Sequence, residues 1–177
     1  MKTQTITLNG TQFTLPVRDT ERGKVYAAEI DVFYYDNYGT PEERRVRRHL
    51  RDVAGTEAFI DKIVSSRLWL NLLLASGQGW RGPKPTIRFR KNARAHAKQS
   101  FVVLLGVFDG LIEDWVVLHE LAHIAVGAKY RHHWPYRRAF LTLLAHFMDQ
   151  KTADLVESRY EARGLKTPHF PVFADNP

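Results

Sequence analysis

The stretch from Ile112 to Gly127, IEDWVVLHELAHIAVG, constrains this chain more than any other segment. At its centre lie His119, Glu120 and His123 in the spacing H-E-x-x-H. Residues four apart lie on the same face of an α-helix, one turn apart. Both imidazoles can therefore reach one Zn²⁺ ion at about 2.0–2.1 Å. Glu120 would then point beside the ion, where a carboxylate can take a proton from an activated water molecule.

The residues that flank this motif are apolar on nearly every face of the helix. They are Ile112, Trp115, Val116, Val117, Leu118, Leu121, Ala122, Ile124, Ala125 and Val126. A helix that is apolar all round is a buried helix, and unpaired polar groups inside it are costly. A metal ion would satisfy both histidines and the glutamate. In the alternative interpretation, His119 and His123 are core histidines bonded to backbone, and Glu120 is paired with a surface arginine.

The chain has 177 residues and no cysteine. Its length predicts a single domain over 1–177, with an N-terminal hairpin over 1–16 and a tail over 165–177. Without cysteine, disulfides, cysteine-rich zinc sites and thiol catalysis are excluded, so a metal must be held by histidine and carboxylate. No segment approaches the ~20 apolar residues of a membrane-spanning helix, and the N-terminus lacks a signal-peptide core. We therefore expect a cytoplasmic protein.

The first part of the chain predicts a β-hairpin followed by helices. The Asn-Gly pair at 9–10 is a strong turn signal, and it places Ile6 opposite Phe13. A helix is expected over 19–35. The residues Thr-Pro-Glu-Glu at 40–43 mark the start of another helix, with a cap, a proline and acids in its first turn.

This second helix is expected to carry a row of arginines, namely Arg44, Arg45, Arg47, Arg48 and Arg51. The chain as a whole has a formal net charge of +7. The simpler interpretation is a solvated helix face. The alternative is a patch that contacts phosphates, which would give weak association with nucleic acid.

The middle of the chain predicts one helix and two strands. The helix is expected over 55–76, followed by a loop rich in Gly and Pro over 77–85. Polar and apolar residues alternate over 86–91, which predicts a strand with one basic face. Residues 92–99 are expected to be a polar connection. The apolar run over 100–106 predicts a buried strand that leads to the motif helix.

Two further helices are expected after the motif helix. Gly127 predicts where the motif helix ends. Pro135 predicts the start of the next helix, and a last helix is expected over 152–163, capped by Gly164. The order of elements therefore mixes helices with a few strands, as in an α+β fold.

A catalytic zinc site usually has three protein ligands, so a third ligand is needed. The metzincin spacing H-E-x-x-H-x-x-G-x-x-H is absent, because positions 126 and 129 are Val and Lys. The remaining candidates are His132, His133, Asp149, Asp154 and Glu157. The histidines are favoured, because the loop after the motif helix can fold back onto it, whereas Glu157 lies far down the chain.

Two segments of the chain resemble a known family. The segment VLHELAH, a short loop and a histidine before a helix with spaced Phe and Leu residues resemble the small zincin-like metallohydrolases of actinobacteria and their phages. The segment RDTERGKVYAAE, residues 18–29, resembles the R-D-x-x-R-x-x-V-Y-x-A-E opening of that family. The likeness spans residues 18–147. More distantly, the chain resembles SprT-like metallopeptidases.

The resemblance implies a zincin-like minimal metallopeptidase core, in which helices pack on a small mixed or antiparallel sheet, with an N-terminal β-hairpin. The motif helix would lie beneath the sheet, and the strand over 100–106 would line the cleft. In such folds an extended peptide can add along an edge strand. The expected activity is zinc-dependent hydrolysis of a peptide or protein substrate.

The resemblance also implies the site residues. Matching the aromatic and leucine positions of the helix over 136–144 places the family's histidine on His132, whereas matching Pro135 places it on His133. We prefer His132 because more apolar positions agree. His119, His123 and His132 would then hold Zn²⁺, with His133 as the alternate third ligand.

Glu120 would act as the general base in this mechanism. Tyr130, His133 or His96 could stabilise the oxyanion, and the sequence does not select among them. Two other functions stay open. The protein could associate with nucleic acid, as an independent module or as a protease of DNA-bound proteins like the SprT-like enzymes. It could also be a catalytically idle zincin that serves as an interaction domain.

Overall fold

The N-terminal hairpin forms as the sequence predicts. The computed structural model describes residues 2–8, 11–35, 49–77, 85–91, 96–98, 102–107 and 109–168. Strands β1 (Thr3–Leu8) and β2 (Thr11–Pro16) are antiparallel, with Ile6 opposite Phe13. The turn residues at 9–10 lie outside the described residues. Ile6, Leu8 and Leu15 are buried on the inner face of the hairpin, which gives this short hairpin the support it needs from the core.

The predicted first helix is also confirmed. Helix α1 (Arg22–Ile30) continues into a π-helical turn (Asp31–Tyr35). The helix start predicted at 40–43, together with Arg44, Arg45, Arg47 and Arg48, lies outside the described residues.

Arg51, however, is described, and its predicted place on a helix is wrong. It lies in the short strand β3 (Leu50–Arg51), where it pairs with Ile112 of strand β7 (Ile112–Glu113). Its guanidinium donates two hydrogen bonds to Asp114, with Nε–Oδ1 at 2.6 Å and Nη2–Oδ2 at 2.9 Å. Asp114 is buried at the start of the motif helix, and a buried carboxylate requires such a partner.

The single helix expected over 55–76 is in fact two helices. Helix α2 (Val53–Val64) ends at Ser65, and helix α3 (Arg67–Ala75) begins after Ser66. The Ser66 hydroxyl accepts a hydrogen bond from Trp69 N at 3.1 Å. A serine side chain satisfies a free N–H group at the start of a helix. A new helix therefore begins after Ser66, although the apolar periodicity of the sequence continues through this point. Most of the loop predicted over 77–85 lies outside the described residues.

Three strands form a small mixed sheet in the order β4-β6-β5. Strands β4 (Thr86–Lys91) and β6 (Val102–Val107) are parallel, and both confirm predicted strands. The prediction of a polar connection over 92–99 is wrong for β5 (His96–Lys98), which pairs with β6 in the antiparallel direction. Pairing with a neighbouring strand overrides the weak local preference. Over 102–104, β6 is paired on both sides, so it is not an edge strand there.

The motif helix α4 (Asp114–Val126) is buried on nearly all faces and contacts α3 and the sheet. It ends at Gly127, whose φ of 94° is a conformation that glycine adopts without a steric cost. Helix α5 (Trp134–Phe147) then packs against α4, with Pro135 in its first turn. Helix α6 (Gln150–Ala162) follows, and Gly164 has a φ of 70°. These helices confirm the predicted order.

The buried apolar residues of these elements form one hydrophobic cluster around α4 and α5. The structure is therefore an α+β fold with an N-terminal hairpin, as expected. Among the described residues, no helix is both long enough and apolar enough to cross a membrane.

Replacement of Asp149 by alanine should lower the free energy of unfolding by about 1 kcal/mol, because a helix loses its N-cap. The Asp149 carboxylate accepts from Thr152 N at 2.7 Å and from Thr152 Oγ1 at 2.9 Å, at the start of α6. Urea unfolding measures the change. The control is Asp154→Ala, which removes only an exposed contact with Gln150. Equal stability of the two variants would contradict the capping role.

Candidate metal centre

Three histidine side chains converge at the C-terminal half of α4. His119 and His123 lie one turn apart, with ring centroids 5.1 Å apart, and His132 approaches from the turn before α5. The Nε2 atoms of His123 and His132 are 3.3 Å apart. One ring nitrogen from each of the three rings lies within 4.8 Å of the others. Two nitrogens bound to one tetrahedral Zn²⁺ at about 2.0–2.1 Å would be about 3.4 Å apart, which agrees with the closer pair.

The chain returns to α4 through a tight turn. After Gly127, a 3-10 turn covers Ala128–Tyr130, held by a hydrogen bond from Tyr130 N to Gly127 O at 3.1 Å. Arg131 adopts a φ of 50°, a left-handed conformation that reverses the chain direction. His132 follows directly and is thereby placed over the helix that carries the other two histidines.

His119 is oriented by a buried carboxylate. Its Nδ1 lies 2.8 Å from Glu29 Oε2. The other Glu29 oxygen accepts hydrogen bonds from Tyr160 at 2.6 Å and from Tyr136 at 3.2 Å. His119 Nε2 is buried and has no hydrogen-bond partner among the described residues. Because an unpaired buried nitrogen is costly, this atom is the part of the site that most clearly fits a metal ion.

His132 has the same kind of partner. Its Nδ1 lies 2.6 Å from Asp19 Oδ2. A carboxylate that accepts the Nδ1 proton leaves Nε2 as the lone-pair nitrogen, which is the common arrangement around metal-binding histidines. The Tyr26 ring packs beside both imidazoles, at 5.3 Å from His119 and 5.1 Å from His132. The rings are therefore held by packing as well as by hydrogen bonds.

Burial and charge set the protonation of these groups. Burial alone would lower the pKa of His119, but the charge and hydrogen bond of Glu29 outweigh it and raise that pKa. Burial, together with the neighbouring His119 and His132, lowers the pKa of His123 well below its usual value. Burial and the Glu29 charge raise the pKa values of Tyr136 and Tyr160. Both tyrosines therefore stay protonated and can donate to Glu29.

His133, the alternate third ligand, is turned away from this cluster. Its Nδ1 lies 2.8 Å from Glu21 Oε2, and its Nε2 lies 3.0 Å from the carbonyl oxygen of Pro16. Both ring nitrogens are thus used in anchoring the segment after the hairpin. The geometry favours His132 over His133.

The acids considered as third ligands all have other partners. Asp149 caps α6, Asp154 accepts from Gln150 at 2.7 Å, and Glu157 pairs with Arg138 at 3.0 Å. The metal-ligand cluster that the described residues form contains the three histidines alone.

Glu120 lies beside the cluster, and with His119 it lines a cleft of about 1050 Å³. Its side chain is buried. Arg22 lines the same cleft, and its charge contributes to lowering the pKa of His123. The cleft therefore brings a carboxylate, an imidazole and a cation into one cavity, where such groups can transfer protons and stabilise negative charge.

The three residues that were expected to stabilise the oxyanion differ in what the structure describes of them. His133 is used elsewhere, and the His96 side chain lies outside the described residues. The Tyr130 hydroxyl is buried and lacks a hydrogen-bond partner within the part of the chain that the structure describes. Arg22, which sequence reasoning did not select, lines the cleft instead.

Sequence reasoning also missed the residues that orient the histidines. Asp19, Tyr26 and Glu29 all come from the segment 18–29, for which the sequence predicts a helix and a resemblance to a family opening but no role for these three side chains. The positions of these three residues within the segment, at 19, 26 and 29, are the signal that could have identified them as partners of the histidines. No pattern in the sequence identifies Tyr160, which reaches Glu29 from a helix 131 positions away.

Comparisons with protein-family models, with curated proteins and with solved structures find no match to this chain. The resemblance to zincin-like metallohydrolases therefore stays a prediction.

Replacement of Glu29 by glutamine should weaken zinc binding by about 10–100-fold, because the partner that orients a metal-binding histidine is altered. Competition with a chromogenic chelator measures the affinity. The matched control is Glu157→Gln, which changes a partly exposed acid paired with Arg138. Unchanged affinity in a folded Glu29→Gln protein would show that this carboxylate does not serve the metal.

The choice between the two downstream histidines can be tested directly. His132→Ala should abolish tight zinc binding, because it removes one of the three candidate ligands. His133→Ala should weaken zinc binding by less than about tenfold, although it should lower stability through loss of its bonds to Glu21 and Pro16. Zinc content after gel filtration and thermal unfolding are the measurements. The reverse order of zinc contents would refute the assignment.

Proposed function

We propose that this protein is a zinc-dependent metallohydrolase of the zincin-like class, which hydrolyses peptide bonds. His119, His123 and His132 are the proposed zinc ligands, and Glu120 is the proposed general base. The observation that carries the proposal is the convergence of the three imidazoles beside a buried carboxylate, that of Glu120, which lines a cleft together with His119. The sequence resemblance over 18–147 supports the same class.

The donor set suits zinc. The cluster offers imidazole nitrogens only, and zinc is commonly held by three such ligands in catalytic sites. The partnerless Nε2 of His119 fits a bound ion. When bound, Zn²⁺ supplies Lewis acidity, which lowers the pKa of water and polarises a carbonyl group.

The chain's own residues account for the proton transfers. Glu120 takes a proton from water as the water oxygen bonds to the scissile carbonyl carbon. The same carboxyl group then gives that proton to the amide nitrogen as the C–N bond breaks. The burial of Glu120 strengthens these interactions, because the local dielectric constant is low.

Arg22 is the proposed partner of the negative charge that develops on the carbonyl oxygen. Its guanidinium lies over the Tyr26 ring, 5.4 Å from the centroid. Among the described residues, no carboxylate lies within ion-pair distance of it. A cation in this position can donate hydrogen bonds to the substrate.

The remaining expectations stay predictions. For association with nucleic acid, the arginines at 44–48 lie outside the described residues, and Arg51 is paired with Asp114. Arg88 and Arg90 are exposed on β4, but exposure alone does not favour a nucleic-acid partner. A cytoplasmic location and an idle zincin acting as an interaction domain likewise stay predictions.

Replacement of Glu120 by glutamine should lower peptide hydrolysis by at least about 10²-fold, because the amide cannot accept a proton from water. Zinc content should match that of the wild-type protein, since Glu120 is not a proposed ligand. Fluorogenic peptide turnover and metal analysis on the same samples are the measurements. Wild-type turnover in this variant would exclude Glu120 as the base, and zinc loss would assign it a different role.

A further inference from the structure

The cleft at the proposed metal centre extends beyond the reacting groups. Its volume of about 1050 Å³ reaches the upper end of the range of about 300–1,000 Å³ that is typical of ligand pockets. Its lining includes His119 and Glu120. It also includes six apolar or aromatic residues, here called the apolar wall, namely Ile30, Tyr34, Leu50, Leu111, Trp115 and Val116.

Three residues of this wall are exposed apolar side chains. Tyr34 is 40% exposed, Leu50 is 42% exposed and Leu111 is 38% exposed, and all three line the cleft. A single exposed apolar side chain needs no explanation, but a contiguous apolar surface marks a binding site. The wall is therefore suited to an apolar group brought by the substrate.

The aromatic part of the wall is fixed in place. Trp115 Nε1 donates to Glu113 Oε2 at 2.6 Å, and the Tyr34 hydroxyl donates to the same oxygen. Trp115 also stacks on Phe33, with centroids 4.8 Å apart and planes 7° apart. Because these two rings are already held in place, they can contact a bound group while losing little side-chain entropy of their own.

The charges around the cleft restrict its occupant further. Among the residues that the structure describes, the lining includes the carboxylates of Asp109, Glu113 and Glu120 and one arginine, Arg22. An acidic side chain would be repelled and a neutral one would not. We infer that the cleft binds a large, uncharged apolar side chain, aromatic or aliphatic, next to the peptide bond that is hydrolysed with Glu120 as the general base. This inference rests on the proposed peptidase function for its substrate class.

The first test uses a pool of internally quenched peptides with the zinc-loaded protein. Cleavage should occur next to Phe or Leu at least about tenfold faster than next to Ala or Glu, because a well-filled apolar pocket discriminates by this order. Leu111→Gln should reduce the preference severalfold. The matched control is Leu74→Gln, which changes an exposed leucine (53%) that does not line the cleft.

The second test measures binding without turnover. N-acetyl-phenylalanine amide and N-acetyl-glutamine amide are titrated into zinc-loaded and metal-free protein, and amide NMR signals are followed. The phenylalanine derivative should shift the signals of Tyr34, Leu111 and Trp115 at concentrations at least about tenfold lower than the glutamine derivative. Leu111→Gln should remove most of this difference, and Leu74→Gln should keep it.

The two tests separate the two proposals. Selective binding of the phenylalanine derivative at the cleft, without cleavage of any peptide, would support the apolar site and overturn the peptidase function. Cleavage without a preference for apolar side chains would overturn the proposal of an apolar binding site. Binding that leaves the NMR signals of Tyr34, Leu111 and Trp115 unchanged would also overturn it. The absence of both cleavage and cleft binding would overturn both proposals.

Discussion

The fold depends on one buried carboxylate, that of Glu29, at which four helices meet. Glu29 belongs to α1 and contacts His119 of α4, Tyr136 of α5 and Tyr160 of α6. A buried carboxylate is tolerated only when each oxygen has donors. The three side chains supply these donors, which favours the arrangement in which the four helices meet at Glu29. The same bond that satisfies Glu29 sets the orientation of His119, and stability and site geometry are therefore coupled.

A second network does the same for His132. Its ring is held by Asp19, and its carbonyl oxygen accepts from the buried guanidinium of Arg137 at 2.8 Å. Arg137 also donates to Glu21, which in turn contacts His133. Both networks thus use acids from the segment 19–29, because Asp19 and Glu21 precede α1 and Glu29 lies near its end. Because such networks couple their members, the segment 18–29 orients the site although none of its residues is a proposed ligand.

Local patterns predicted most of the elements, and the errors have physical causes. The hairpin, the motif helix and the helix after Pro135 follow from turn chemistry and periodicity, which are local properties. The short strand β5 was missed because its pairing with β6 is a tertiary contact. Arg51 was assigned to a helix because its partner, Asp114, is 63 positions away. At the site, the spacing of His119, Glu120 and His123 was sufficient, because a helix alone places them on neighbouring positions.

The sequence by itself determined that two histidines one turn apart share a helix with a neighbouring glutamate, because helix geometry is fixed by the backbone. It also determined that a metal, if bound, would have no thiolate ligand. Only the tertiary structure shows that His132 rather than His133 lies beside His119 and His123, because both occupy the same turn and differ only in where their rings point. It alone revealed Asp19, Glu29 and the apolar cleft, since these depend on contacts between segments that are distant in the chain.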